Sequence, residues 1–312
     1  DFSTLTNLYC SNNLLTSIDV SNNTALINLD CSKNNLTSLD VSKNTALTDL
    51  YCHYNTLSYL NLNGAISLSY LYCVNSQLTS LDLSTNTALT SLRCHFNQLT
   101  SIDVSNNVAL TTLDCNDNQL TSLDVSANTA LISLHCEDNQ LTSLDVSSNT
   151  TLTYLECGGN QLTSLNMRNG VTDSLSTFIA TGNSSLTCIE TLDPTYATAN
   201  WTSANGKIDA GVTFSVICGG TDLTTWHVDT TGSDGSGSGT ETSPLATIQT
   251  GINAASSGDT VLVSAGTYKE NINYSGKNIS VRSTGGPLST IMVPLNSSIP
   301  VVRIINNENS SA

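Results

Sequence analysis

Positive charge is scarce in this chain: nine Lys and Arg stand against 25 Asp and Glu in 312 residues, a formal charge of −16. Such a surface repels phosphate backbones and anionic lipid, which speaks against a nucleic-acid partner and against membrane-surface binding. It tolerates cations and neutral partners such as glycans. No apolar run approaches the roughly 20 residues that cross a bilayer, so membrane insertion is not expected. The ten cysteines contain no C-x-x-C pair, and zinc-finger spacing is therefore missing. The first residue is Asp1 and no secretory leader is visible, as expected of a mature product or a trimmed piece.

Repetition is what the chain has in quantity. Leu5, Leu26, Leu47, Leu68, Leu89, Leu110, Leu131 and Leu152 open nearly identical units 21 residues apart, with no slip in register. A fixed period of this size signals a solenoid of stacked coils. Each unit reads L-x-x-L-x-C-x-x-N-x-L-T-S-L-D-V-S-x-N-x-x, close to the leucine-rich repeat pattern with Cys where a Leu is usual. The L-x-C segment alternates as a strand does, so stacked copies make a parallel sheet with Leu and Cys inward. The Asn of each unit turns the chain inward, where its amide pairs backbone groups of adjacent coils that would otherwise be buried alone. Ser76 breaks that row in the fourth unit and predicts a local irregularity. The second half, L-x-V-x-x-N, echoes the first, so the back of the coil is expected to be extended as well.

Eight cysteines, from Cys10 to Cys157, occupy one repeat position and are read as free buried thiols. Cys188 and Cys218 flank the end of the array and look like a disulfide of an exported protein. A column of Asp on the back (Asp19, Asp40, Asp82, Asp103, Asp124, Asp145) has two readings. Each carboxylate accepts bonds from nearby Ser, Thr and backbone donors at a turn, or the column is a Ca2+-binding ladder. No resident cofactor is otherwise expected.

Positions that differ between units are free to do something other than hold the fold. They are the front-strand slots taken as solvent-facing, including Ser32, Val74, Asp114, Asn116, Glu137 and Glu156. Six of the chain's ten Tyr and three of its four His fall there. Candidate binding residues are Tyr51, His53, Tyr54, Tyr70, Tyr72, Arg93, His95, Phe96, His135 and Tyr154. Rings with a polar tip give contact area at low entropic cost, as at recognition surfaces. Stacked rings also support one another in a sheet without any ligand, by roughly 0.2–1 kcal/mol per pair. The residues choose neither between these nor between a glycan and a protein partner. His53, His95 and His135 sit two coils apart, near 10 Å, too far for shared ligation; no metal site and no catalytic residue are assigned.

After Leu165 the units stretch and stop. The tail YATANWTSANGKIDAGVTFSVICGG, with Trp201 and Phe214, supplies the cap that an open coil end needs. From Trp226 the vocabulary changes: GSDGSGSG reads as a flexible loop, and Ser243-Pro244 as the start of a helix presenting Leu245, Ile248, Ile252 and Ala255, closed by Gly258. Strands are expected in TVLVSAGTY, NISVRS and IPVVRII. Asp259, Lys269, Glu270 and Arg282 read as turn and surface residues. The expected division is 1–188 repeat solenoid, 189–221 cap, and 222–312 a second module.

The words TALTSLRCHFNQLTSIDVS and NSSLTCIETLDPTYATANWTS resemble the short leucine-rich repeats and terminal cap of secreted Bacteroidetes surface proteins. That resemblance implies an exported, cell-surface binding or adhesion protein, often routed by a C-terminal sorting domain (type IX secretion). Asp173-Ser174, Asp229-Thr230 and Asp259-Thr260 resemble that phylum's O-glycosylation triplets. The stretch WHVDTTGSDGSGSGTETSPLATIQTGINAASSGDTVLVSAGTYKENI resembles the opening of right-handed parallel β-helix proteins of the pectate-lyase-like kind, where a short helix plugs the first coil. In such enzymes the Ca2+-binding acids and the basic catalytic residue lie in later coils, so no site transfers, and the module is expected to be truncated at Ala312. The fold class expected is a mostly β solenoid: a leucine-rich repeat array with a C-terminal cap, then the start of a parallel β-helix with one capping helix. The function expected is non-catalytic binding. The alternatives are the targeting part of a polysaccharide-active enzyme and a structural spacer.

Overall fold

The computed structural model describes residues 3–218, 224–286, 288–295, 298 and 301–303. The chain forms two compact units: Asp1–Asn166 with Asp173–Thr187 and Ala199–Val212, and Met167–Thr172 with Cys188–Thr198 and Thr213–Ala312.

The first unit is built on a nine-stranded parallel sheet, one three-residue strand per coil from Asn7–Tyr9 to Thr177–Ile179. Coils pair in register, Leu50 beside Leu71 and Leu71 beside Leu92. The central Leu of every strand from Leu29 to Leu155 is 0 % exposed, and so is every Cys from Cys31 to Cys157. Removing each such Leu from water contributes roughly 1.5–3 kcal/mol. The eight ladder thiols are unoxidised.

The Asn row does what its position demands. Asn55 Nδ2 donates to the carbonyls of Cys52 and of Cys31 one coil back, while its Oδ1 accepts from Leu36 N. The pattern repeats at Asn34, Asn97, Asn118, Asn139 and Asn160. At Ser76 the hydroxyl donates to Cys52 O and Val74 O, and Asn97 Oδ1 takes both Ser76 N and Leu78 N. The irregularity is thus absorbed without loss of strand register. The residue before the Asn has positive φ in coil after coil, among them Tyr54 (52°), Phe96 (53°), Asp117 (48°) and Asp138 (52°). Left-handed backbone costs a residue with a Cβ on the order of 1 kcal/mol, a strain the Asn bonds hold in place.

The back is extended as a paired strand in some coils, with Ser38–Asp40 beside Tyr59–Asn61 and Ser143–Asp145 beside Ser164–Met167. The acidic column there is hydrogen-bonded locally. Asp19, Asp40, Asp82, Asp103, Asp124 and Asp145 each accept from the amide two residues on, at 2.8–3.0 Å. The hydroxyls of Ser21, Ser84 and Ser105, and then those amide bonds, hold the carboxyls of Asp19, Asp82 and Asp103 below their ordinary pKa.

In the last coil Phe178 takes the Leu place and Ala180 the Cys place. Trp201 packs on Phe178 with ring centroids 4.2 Å apart. Lys207 O accepts from Ala180 N, and the Asp209 carboxylate accepts from Gly182 N and Asn183 N. Apolar surface and edge amides at that end therefore both find partners.

The second unit holds parallel pairs on three sides. Thr225–Val228, Thr260–Val263 and Ser280–Ser283 form one sheet; Gly266–Lys269 pairs with Thr290–Val293, and Ile272–Asn273 with Val302–Arg303. Parallel pairing of this kind is the arrangement of a β-solenoid. Ile299, Pro300, Ile304 and Ile305 of the third expected strand lie outside the described residues. The disulfide joins Cys188 to Cys218 across a Cα–Cα distance of 5.8 Å.

The helix spans Ile248–Ala254, not Ser243 onward, and its N-cap is Thr247. Leu245 is instead drawn into a bridge with Val228, and Asp234 accepts from Ala246 N and Thr247 N. The helix also ends before Gly258, capped at Ala255. Glu270 is buried, not a surface residue: its two oxygens accept from Ile248 N and Gln249 N at the helix start. Lys277 Nζ donates to the carbonyls of Ile252, Asn253 and Ala255 at the other end. A carboxylate at the N-terminus and an ammonium at the C-terminus both suit the helix dipole. Gly251 carries no side chain because a Cβ there would stand 2.8 Å from Val261 and 2.9 Å from Val228. The GSDGSGSG stretch, expected to be flexible, is hydrogen-bonded along its length: Ser233 N to Pro244 O, Gly237 N to Ser233 O, Gly239 N to Ser243 O.

Candidate recognition face of the repeat array

The front strands place their variable residues on either side of the buried Leu. One column runs Tyr51, Tyr72, Arg93, Asp114, His135, Glu156, each half-buried and directly beside the next along the sheet. Tyr70 and Tyr154 occupy the column before the Leu; His53, His95 and Glu137 follow the Cys.

Coils three to five bring eight of the predicted residues into one cluster. The Tyr51 ring lies 5.4 Å from Tyr70 and 6.3 Å from Tyr72. Tyr72 meets His53 edge-on at 4.4 Å and His95 at 6.3 Å, and the Arg93 guanidinium sits 6.0 Å over its ring. His53 continues to Tyr54 at 5.6 Å and His95 to Phe96 at 5.4 Å. Tyr54 and Phe96, 49 % and 53 % exposed, project furthest into solvent. They do so because both sit at the left-handed position, where the backbone turns the side chain away from the sheet.

His135 and Tyr154 stand apart from this cluster and stack on each other at 4.4 Å. They belong to an acidic neighbourhood whose members the sequence displayed but did not connect. Glu156 Oε2 lies 3.4 Å from His135 Nδ1. Asn116 donates to Glu137 Oε1 at 2.7 Å, and His95 Nδ1 sits 2.9 Å from Asp114 Oδ2. The signal that finds the His135–Glu156 and Asn116–Glu137 contacts is the 21-residue offset between adjacent coils, applied to charge as well as to rings.

The slot after the Cys is not uniformly solvent-facing, contrary to expectation. Ser32 and Val74 are buried, because the chain there is already turning inward toward the Asn. Partial burial also sets the electrostatics. It holds the His53 imidazole below its usual pKa, with Lys33 adding to that and Asp30 opposing it. It raises the Glu137 carboxyl, with Glu156 adding to the effect against the Asn116 bond. Burial, the bond to Glu156 and nearby acids push the Tyr154 phenol to about 12. Burial raises the ladder thiols, to about 12 at Cys31, Cys73 and Cys157.

Among solved structures the chain is similar to three repeat proteins of different organisms. The functional domain of InlJ from Listeria monocytogenes, described as including a cysteine ladder, shares 26 % identity at a TM-score of 0.49, covering 87 % of this chain and 68 % of that one. An LRR protein of Leptospira interrogans shares 20 % at 0.42, over 61 % of each chain. The Arabidopsis receptor kinase HAESA, in complex with the peptide hormone IDA and the co-receptor SERK1, shares 17 % at 0.50, over 65 % of this chain and 36 % of its own. The array has the leucine-rich repeat fold. No protein-family profile matches the chain, and no curated protein matches it. Among the described residues of the leucine-rich repeat chain, no helix is long and apolar enough to cross a membrane.

Proposed function

We propose that the leucine-rich repeat array is a non-catalytic binding module of an extracellular protein, recognising its partner through the aromatic and histidine face of coils three to five. The observation that carries this is the unbroken run of ring contacts from Tyr70 through Tyr51, Tyr72 and His95 to Phe96 on one side of the sheet. Self-support alone would not require Tyr54 and Phe96 to project at strained backbone positions. The Cys188–Cys218 disulfide supports an oxidising compartment, and the likeness of the repeats to secreted surface proteins supports export.

The rings meet mostly edge-on, between 64° and 70°, so few flat faces are left for a sugar to stack on. This favours a protein or peptide partner over a glycan. The adjacent carboxylates of Asp114, Asp117 and Asp138 favour one that carries Lys or Arg. A second reading, with the array targeting a polysaccharide-active β-helix, draws on the three-sided parallel pairing of the second unit. There Glu270 and Lys277 serve the helix ends, however, and Asp259 accepts from Trp226 Nε1 and Ser256 N.

The test is a side-by-side screen of the full chain and its Y51A/Y72A/F96A variant on peptide and glycan arrays, with circular dichroism to confirm the fold. Peptide signals that the variant loses are expected. Equal signals from both proteins remove the face from consideration; glycan signals lost by the variant reassign the partner.

A further inference from the structure

Coils seven and eight carry a side-chain group that the aromatic face does not use. One ligand atom from each of His135, Glu137 and Glu156 lies within 4.8 Å of the other two, and all three residues are half-buried. We propose that these three side chains form a binding site for a divalent cation of the zinc type.

Geometry and donor set point the same way. Tetrahedral zinc holds N and O ligands at about 2.1 Å, which places them roughly 3.4 Å from one another. His135 Nδ1 and Glu156 Oε2 already stand 3.4 Å apart. The rest of the triangle closes by about 1.4 Å at most, a reach the flexible Glu side chains cover by rotation. Ca2+ seeks six to eight oxygens, whereas an imidazole with two carboxylates suits zinc and its neighbours.

Two of the donors, His135 and Glu137, are also held by partners that leave a ligating atom free. Ser133 Oγ bonds His135 Nε2 at 2.9 Å, which aims Nδ1 at Glu156. The Tyr154 ring stacks on the imidazole at 4.4 Å. Asn116 binds Glu137 Oε1 at 2.7 Å, and the second oxygen, Oε2, is buried with no hydrogen-bond partner. A buried carboxylate oxygen without a donor is costly, and a cation removes that cost. Such supporting bonds orient the ligands of protein metal sites. The ion leaves one coordination position toward solvent, because His135 and Glu156 keep 25 % and 20 % of their side-chain surface exposed. Water or a donor from a partner fills it.

The experiment is calorimetric titration of Zn2+ into the full, chelator-treated chain, with Ca2+ as a parallel titrant. One saturable Zn2+ site is expected, weakened more than about tenfold in E137Q/E156Q and about tenfold in S133A. D124N, on the far side of the coil, keeps the wild-type affinity. X-ray absorption on the wild-type complex is expected to show nitrogen and oxygen neighbours only, which keeps the assignment testable even should a variant fold poorly. Absence of saturable Zn2+ binding, sulfur in the coordination shell, equal affinity in E137Q/E156Q, or Ca2+ binding as tight as Zn2+ each overturns it.

Discussion

His95 and Asp114, one coil apart, face each other at 2.9 Å with side chains only 16 % and 13 % exposed. The pair joins the aromatic cluster of coils three to five to the acidic coils beyond it, where His135 and Tyr154 stack beside Glu156. Replacing Asp114 by Ala removes the carboxylate that stands against the His95 imidazole, a close ion-pair contact without aligned hydrogen-bond geometry. A loss of about 0.5–1 kcal/mol in unfolding free energy is expected by chemical denaturation. A change within a few tenths of a kcal/mol would show that solvent compensates the pair.

The left-handed positions set stability against recognition. Phe96→Gly relieves a strained φ of 53° and is expected to raise stability by about 0.5–1 kcal/mol. It also removes a 53 % exposed ring from the proposed face, so the same variant should bind less. Thermal melts and the array screen read the two effects separately, and a variant both less stable and equally active contradicts both.

The Asn row is expected to be worth far more than its one Ser. Asn97→Ala strips four hydrogen bonds from buried backbone groups of coils four and five, while Ser76→Ala strips two weaker ones. At about 1–3 kcal/mol for each buried group left unpaired, Asn97→Ala should cost at least twice what Ser76→Ala does. Equal midpoints in urea would contradict this.

Thiol reactivity should divide the ladder. Cys10 is partly exposed while the seven from Cys31 to Cys157 are buried. A disulfide-exchange reagent at pH 8 is expected to titrate one thiol in the native protein and eight after unfolding. The raised thiol pKa values also fix a sign. Native thiols stay protonated until about 12 at Cys31, Cys73 and Cys157, whereas unfolded ones ionise near 9. Stability is therefore intact below pH 9 and falls as pH climbs from there toward 12. A flat stability profile above pH 9 would count against buried, protonated thiols.

His53 carries the opposite dependence. Its folded pKa lies below the ordinary 6.5, chiefly through burial, so protonation favours the unfolded chain. Its contribution is complete above pH 6.5 and declines as pH falls through and below that value. His53→Asn should flatten the acid side of the thermal midpoint curve, and an unchanged slope would assign the acid sensitivity elsewhere.

Much of this molecule was legible in the sequence, and the reason is the period. With 21 residues between Leu50, Leu71 and Leu92, only one stacking buries every Leu and gives every Asn amide the carbonyls of two coils. The ring cluster of coils three to five follows from that same stacking; the disulfide shows instead in two cysteines that stand outside the repeat. What the period does not encode is where a side chain of one coil ends relative to the next. Val74 and Ser32 turned inward because the chain after the Cys is already heading for the Asn turn, and Glu156 stands beside His135 because adjacent strands pair them in register, with Glu137 two residues on completing the group. The helix start moved from Ser243 to Thr247 because Asp234 and Glu270, 13 and 22 residues away in the chain, hold its first amides. Repetition determines a lattice, since each unit repeats the same local demand; contacts between unlike residues from different coils exist only once the chain has closed on itself.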